Sequence, residues 1–143
     1  MIKLIINADD FGSSAIFNEK IIDLLERDYV KSTTVLVDRV TEIQQGQISR
    51  LINLYQDKRI SIGLHLDFDN SKPALNQIKS QYKKFVSIFG FEPTHLDVHK
   101  PRSEETLKIV IKFAENKNFL EPNKFNARNE MNNKARGLAK YLL

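Results

Sequence analysis

The chain contains no cysteine. Disulfides and thiolate metal sites are therefore excluded, and the absence fits the cytoplasmic location expected for it. Long apolar runs are missing as well. None approaches the roughly 20 residues that cross a bilayer, so no membrane contact is expected. Blocks of like charge are also absent. The 22 Lys and Arg against 18 Asp and Glu leave a net charge of +4, but the lysines are dispersed over helix-like segments. A solvated surface accounts for them, and no nucleic-acid partner is expected. There is no glycine-rich loop of the P-loop kind, which disfavours phosphoryl transfer. No internal repeat or low-complexity linker divides the chain. It runs directly into a strand-like segment, so no signal peptide is expected.

What is present is a chain of 143 residues, 41% hydrophobic and 28% charged. That composition suits one domain, residues 1–143, with a real core. Strand and helix patterns alternate. Residues 2–8 read as a buried strand, and residues 32–37, rich in β-branched side chains, as a second. A third strand is expected over 60–66 and a fourth over 94–98, with a weaker fifth near 125–128. Helices are expected between them. Ser13 or Ser14 caps the first, whose apolar residues include Ile21, Ile22, Leu24 and Leu25. The second runs from about 42 to 55, with Ile48, Leu51, Ile52 and Tyr55 at helical spacing. The third covers 74–89 and stops at Gly90. The fourth is capped by Ser103 and runs to about 115, with Leu107, Val110, Ile111 and Ala114 inward. Residues 129–143 read as polar and then helical. Repeated βα units predict a mainly parallel sheet.

Asn7-Ala8-Asp9-Asp10-Phe11-Gly12 is placed where the first strand ends. Adjacent carboxylates beside a buried strand are costly unless a cation or a proton transfer uses them. Ligands of parallel α/β folds bind at these carboxyl ends. The chain has only three histidines, His65, His95 and His99. Parallel strands would bring Asp9, Asp10, His65 and His99 to one rim. Two imidazoles and a carboxylate suit a catalytic divalent metal, leaving the spare carboxylate as a general base. Each feature also has a plain structural explanation. An Asp pair can cap a turn, and a lone His can be a hydrogen-bonded core residue. His95 is read in that structural sense. The conjunction of three strand ends favours a site.

These residues carry a resemblance. Asn7 to Gly12 with Ser14 and Asn18, Ser32-Thr33-Thr34, Ile62-Gly63-Leu64-His65, Ser80-Gln81-Tyr82 and Pro93-Thr94-His95-Leu96-Asp97-Val98-His99 resemble, in order, the YdjC-like carbohydrate deacetylases, which include the chitooligosaccharide deacetylases. The resemblance implies a (β/α) barrel related to the polysaccharide deacetylases. With four or five βα units the barrel would be truncated or incomplete, lacking the usual C-terminal part. It also implies deacetylation of an N-acetylated mono- or oligosaccharide with a divalent metal ion, Mg or Zn foremost. Asp10, His65 and His99 correspond to the metal ligands and Asp9 to the general base. Asn7 and Asn18 would orient the loop. The chain departs from the family at Lys100, Pro101, Arg102 and Ser103, where further histidines are usual, and no His follows that could protonate the leaving amine. Its segment between His65 and Ser80 is also short for the family, and Arg128 is a further candidate for substrate contact. A non-catalytic sugar- or metal-binding homologue is the alternative. Exposed strand edges of an incomplete barrel would favour a homodimer.

Overall fold

The computed structural model describes residues 6–100 and 102–117. Within them four strands alternate with four helices: β1 (Asn7–Phe11), α1 (Ala15–Glu26), β2 (Ser32–Val35), α2 (Gln45–Gln56), β3 (Ser61–Leu66), α3 (Ala74–Phe89), β4 (Leu96–Val98) and α4 (Glu104–Asn116). The strands form one parallel sheet in the order β1-β2-β3-β4. The expected fifth strand and the tail beyond it lie outside the described residues.

Local chemistry explains most boundaries. Ser14, rather than Ser13, caps α1 by accepting a hydrogen bond from the Phe17 N–H at 3.2 Å. Ser103 caps α4 through the Thr106 N–H. Gly90 closes α3 in the left-handed conformation that favours glycine, with its N–H on the Val86 carbonyl. Three expectations need correction. β1 does not stop at residue 8 but continues through Asp9 and Asp10 to Phe11. β2 ends at Val35: the Leu36 N–H makes the last ladder bond, onto the Phe11 carbonyl, and Val37–Arg39 then closes into a 3-10 turn. β4 is confined to Leu96–Val98, since Thr94 spends both its N–H and its hydroxyl on the Ile62 carbonyl. The second helix is also preceded by a 3-10 turn, Glu42–Gln44, closed by a capping box between Thr41 and Gln44.

The two faces of the sheet differ in chemistry. Register partners in a parallel sheet share a face, so Ala8, Thr33 and Ile62 stand together, as do Leu64 and Leu96. This apolar face joins Ile22, Leu25, Ile48, Leu51, Ile78, Phe85 and Val110 of the helices in one buried cluster. In α1, Leu24 stays exposed while Ile21, Ile22 and Leu25 are buried. In α2, Leu54 is buried with Ile48 and Leu51, whereas Ile52 and Tyr55 are only partly buried. In α4 the buried set is Val110, Phe113 and Ala114, with Leu107 and Ile111 half-buried. Each fully buried Leu or Phe contributes about 1.5–3 kcal/mol through removal from water. The opposite face is polar: Asn7, Ser32 and Ser61 lie in register, then Thr34 with Gly63, then His65 with Asp97. The helices are thus held by one face, leaving the other for chemistry.

Candidate metal centre

Asp9 and Asp10 lie inside a register shift between Ala8 and Phe11. Regular alternation would send Asp10 toward the helices. Instead Asp10 adopts the left-handed conformation, φ 69°, and Phe11 returns to the apolar side. A non-glycine residue there stores about 1 kcal/mol or more of strain. The bulge thereby directs both carboxylates away from the core. Gly12 follows at φ 103°, where a Cβ would stand 2.8 Å from the Leu36 carbonyl oxygen. The turn is held by buried amides. The Asn18 side chain accepts from the Gly12 N–H at 2.7 Å and donates to Gln47, while Gln44 donates to the Gly12 carbonyl. Asn18 is fully buried.

His65 comes from the end of β3 and His99 from just beyond β4, where its N–H continues the ladder onto the Leu66 carbonyl. Asp10 Oδ1 stands 3.1 Å from His65 Nε2 and 2.8 Å from His99 Nδ1, and the two nitrogens are 3.3 Å apart. Donors about 2.1 Å from a common cation are separated by about 3.0 Å at right angles and about 3.4 Å at tetrahedral angles. The three edges fall near that range. Asp10 Oδ1 is buried and makes no hydrogen bond despite these neighbours. Three potential ligand atoms this close together, one of them buried without a hydrogen bond, fit a cation. Burial pushes the His65 imidazole below its ordinary value, against the opposing pull of Asp97, Asp9 and Asp10. A neutral imidazole is the form that binds metal.

Asp9 is exposed, and its carboxylate falls with His65 and Asp97 in a second group of potential ligand atoms within 4.8 Å of one another. Its Oδ1 accepts from Asn7 Nδ2 at 2.5 Å and from the Thr34 hydroxyl at 3.0 Å. Asn7 is anchored in turn by the Ser32 hydroxyl at 2.6 Å. His95 stands apart from the trio. Its ring lies over Gly63, with Nδ1 2.8 Å from the Thr94 hydroxyl and Nε2 3.5 Å from that of Ser32.

Several further participants stand in or beside the resembling segments, yet the sequence alone assigns them no role. Asp97 is the register partner of His65, and its Oδ2 lies 3.5 Å from His65 Nδ1. Arg102, one of the departures from the family pattern, folds back to donate to Asn70 Oδ1 and the Phe68 carbonyl, 5.5 Å over the Phe68 ring. Asp67 receives Arg39 at 2.6 Å and has Arg102 at 3.6 Å. Burial raises the Asp67 carboxyl, but the Arg39 guanidinium and neighbouring positive charge hold it below the usual range. Gln81 brackets the Asp67 backbone, accepting from its N–H and donating to its carbonyl. These contacts tie together the loops that follow β2, β3 and β4. Gln81 also lines a groove of about 380 Å³ with Asp38, Lys72, Pro73, Asn76 and Ser80. None of the converging trio lines it.

The chain is similar to known proteins. Residues 3–79 match the family of YdjC-like proteins, more than half of the chain. The chain belongs to the YdjC-like family. A chitooligosaccharide deacetylase of Klebsiella pneumoniae (strain 342) is 29% identical over 126 residues, covering 67% of this chain and 48% of that protein. One from Salmonella typhimurium (strain LT2) is 29% identical over 143 aligned positions, covering 78% of this chain and 55% of the relative. The chain thus spans about half the length of the curated relatives it matches. A crystal structure from Enterococcus faecalis V583, of a protein named for cellobiose-phosphate cleavage, superposes with a TM-score of 0.57 at 21% identity, covering 78% of this chain and 55% of the other. That likeness concerns the fold: a mixed α/β arrangement around a parallel sheet. Among the described residues no helix is long and apolar enough to cross a membrane.

Proposed function

We propose that the chain is a metal-dependent hydrolase that removes acetyl groups from N-acetylated sugars, chitooligosaccharides among them. The observation that carries this reading is the convergence of Asp10, His65 and His99, with Asp9 beside them, in a chain of the YdjC-like family. The four parallel strands in chain order are read as one arc of a (β/α) barrel, with the site at the carboxyl rim where such folds bind ligands.

Asp10, His65 and His99 would hold a divalent cation. Two imidazoles and one carboxylate suit zinc, manganese, iron or cobalt, and magnesium is compared alongside them. When bound, such a cation supplies Lewis acidity to the amide carbonyl and to the attacking water. Asp9 takes the proton from that water. Its Oδ1 is fixed by Asn7 and Thr34, so the carboxylate meets the water without first reorganising. Water adds to the acetyl carbon, the C–N bond breaks as the nitrogen takes up the proton held on Asp9, and acetate and the free amino sugar leave.

A second reading is binding of sugar or metal without turnover. It is favoured by the segment 100–103, which carries no imidazole and whose Arg102 is committed to Phe68 and Asn70. Acetate release from di-N-acetylchitobiose, measured with Zn²⁺ or Mg²⁺ supplied, separates the two. Asp9→Asn is expected to lower turnover by about 10²–10⁴-fold while metal binding persists. Asp10→Ala is expected to abolish metal binding. Full activity in Asp9→Asn would overturn the assigned base. Metal and sugar uptake with no acetate from the wild type would select the second reading.

A further inference from the structure

His65 presents its two ring nitrogens to different surroundings. Nε2 faces Asp10 and His99. Nδ1 points the other way, is buried, and makes no hydrogen bond, yet Asp97 Oδ2 stands 3.5 Å from it. The approach is built into the sheet. His65 and Asp97 are register partners on adjacent parallel strands, so their side chains leave the same face side by side. Asp97 is itself largely buried, 15% exposed at the side chain. A shift of about half an ångström brings the pair into hydrogen-bonding range.

We propose that Asp97 is a positioning residue: it accepts the Nδ1–H of His65, which leaves Nε2 as the bare nitrogen aimed at the metal centre. This rests on the reading of Asp10, His65 and His99 as ligands. The alternative tautomer places a proton on Nε2, against Asp10, and closes the centre to a cation. A carboxylate behind a ligating imidazole orients the ring and raises its donor strength, and losing such a partner typically weakens metal affinity about 10–100-fold. His99 is arranged differently. It turns Nδ1 to the centre, so the two rings do not share one orienting scheme.

The test reads the tautomer directly. The chain has three histidines, so long-range ¹H–¹⁵N correlation spectra of the metal-free protein are assignable with His95→Gln and His99→Gln variants. The expected result is a His65 ring protonated at Nδ1 in the wild type. Asp97→Ala should move the proton toward Nε2 and weaken Zn²⁺ binding about 10–100-fold in competition with a chromophoric chelator. A wild-type His65 protonated at Nε2 would overturn the proposal, and that measurement needs no variant to fold. So would a folded Asp97→Ala that keeps both the Nδ1 proton and wild-type Zn²⁺ affinity. Failure of the metal centre itself gives a different pattern: Asp10→Ala binds Zn²⁺ as the wild type does, whatever tautomer His65 holds.

Discussion

Gly63 offers a direct measure of how tightly the polar face is built. It lies in β3, two residues before His65 and on the same face. A Cβ there would stand 2.5 Å from His95 Cδ2 and 2.7 Å from Cε1. Carbon atoms pack at about 3.5–4.0 Å, so in Gly63→Ala the ring must move by about 1 Å. It would then lose its contact with the Thr94 hydroxyl and its approach to Ser32. Overpacking of this kind costs about 1–3 kcal/mol and a lost hydrogen bond about 1 kcal/mol. Loss of glycine's freedom in the unfolded chain returns about 0.4–1 kcal/mol. The net expectation is a loss of about 2 kcal/mol, or about 8 °C in melting temperature. The assay is urea unfolding of four proteins: wild type, Gly63→Ala, His95→Ala and the double variant. Removing the ring removes the clash, so Gly63→Ala should cost nothing in the His95→Ala background. The cycle should therefore show a coupling of about 2 kcal/mol. Equal cost in both backgrounds would refute the reasoning, because the penalty would then arise elsewhere than the ring.

Asn18→Leu should destabilise the chain by about 2–3 kcal/mol, since it leaves the buried Gly12 N–H without its acceptor. It should also weaken Zn²⁺ binding through the loosened Asp10 turn. Unchanged thermal stability would show that the amide bridge is not what holds the loop. Tyr82 is pushed up to about 12 by burial, by its hydrogen bond to Glu92 and by that carboxylate's charge. A tyrosine held protonated only in the folded state stabilises below its unfolded value of about 10, and loses that contribution as pH rises from about 10 to 12. Wild type should therefore lose stability faster than Tyr82→Phe over that interval, and parallel alkaline melting curves would contradict the assignment. Gly12→Ala should be strongly destabilising, because positive φ and the Leu36 carbonyl both oppose a Cβ. A folded variant with wild-type stability would show that the turn readily rearranges.

The sequence by itself determined the elements whose signals are local. Helix α3 has the bounds its pattern predicts, because Gly90 stops it within the chain's own chemistry. Ser14 and Ser103 cap α1 and α4 through neighbours three residues away. The family was legible too, since motif residues keep their order whatever their distance in space. Only the tertiary structure decided what depends on a neighbouring strand. The bulge at Asp9 and Asp10 exists in the pairing of β1 with β2, and without that pairing alternation would separate the two carboxylates. Asp97 stands in a resembling segment without a role until the β3–β4 register sets it beside His65. Arg102 reads as a break in a histidine pattern until the fold lays it on Phe68 and Asn70. Caps and turns act over three or four residues and are written in the chain. Register, bulges and buried polar partners depend on which segment arrives alongside, and packing alone sets that.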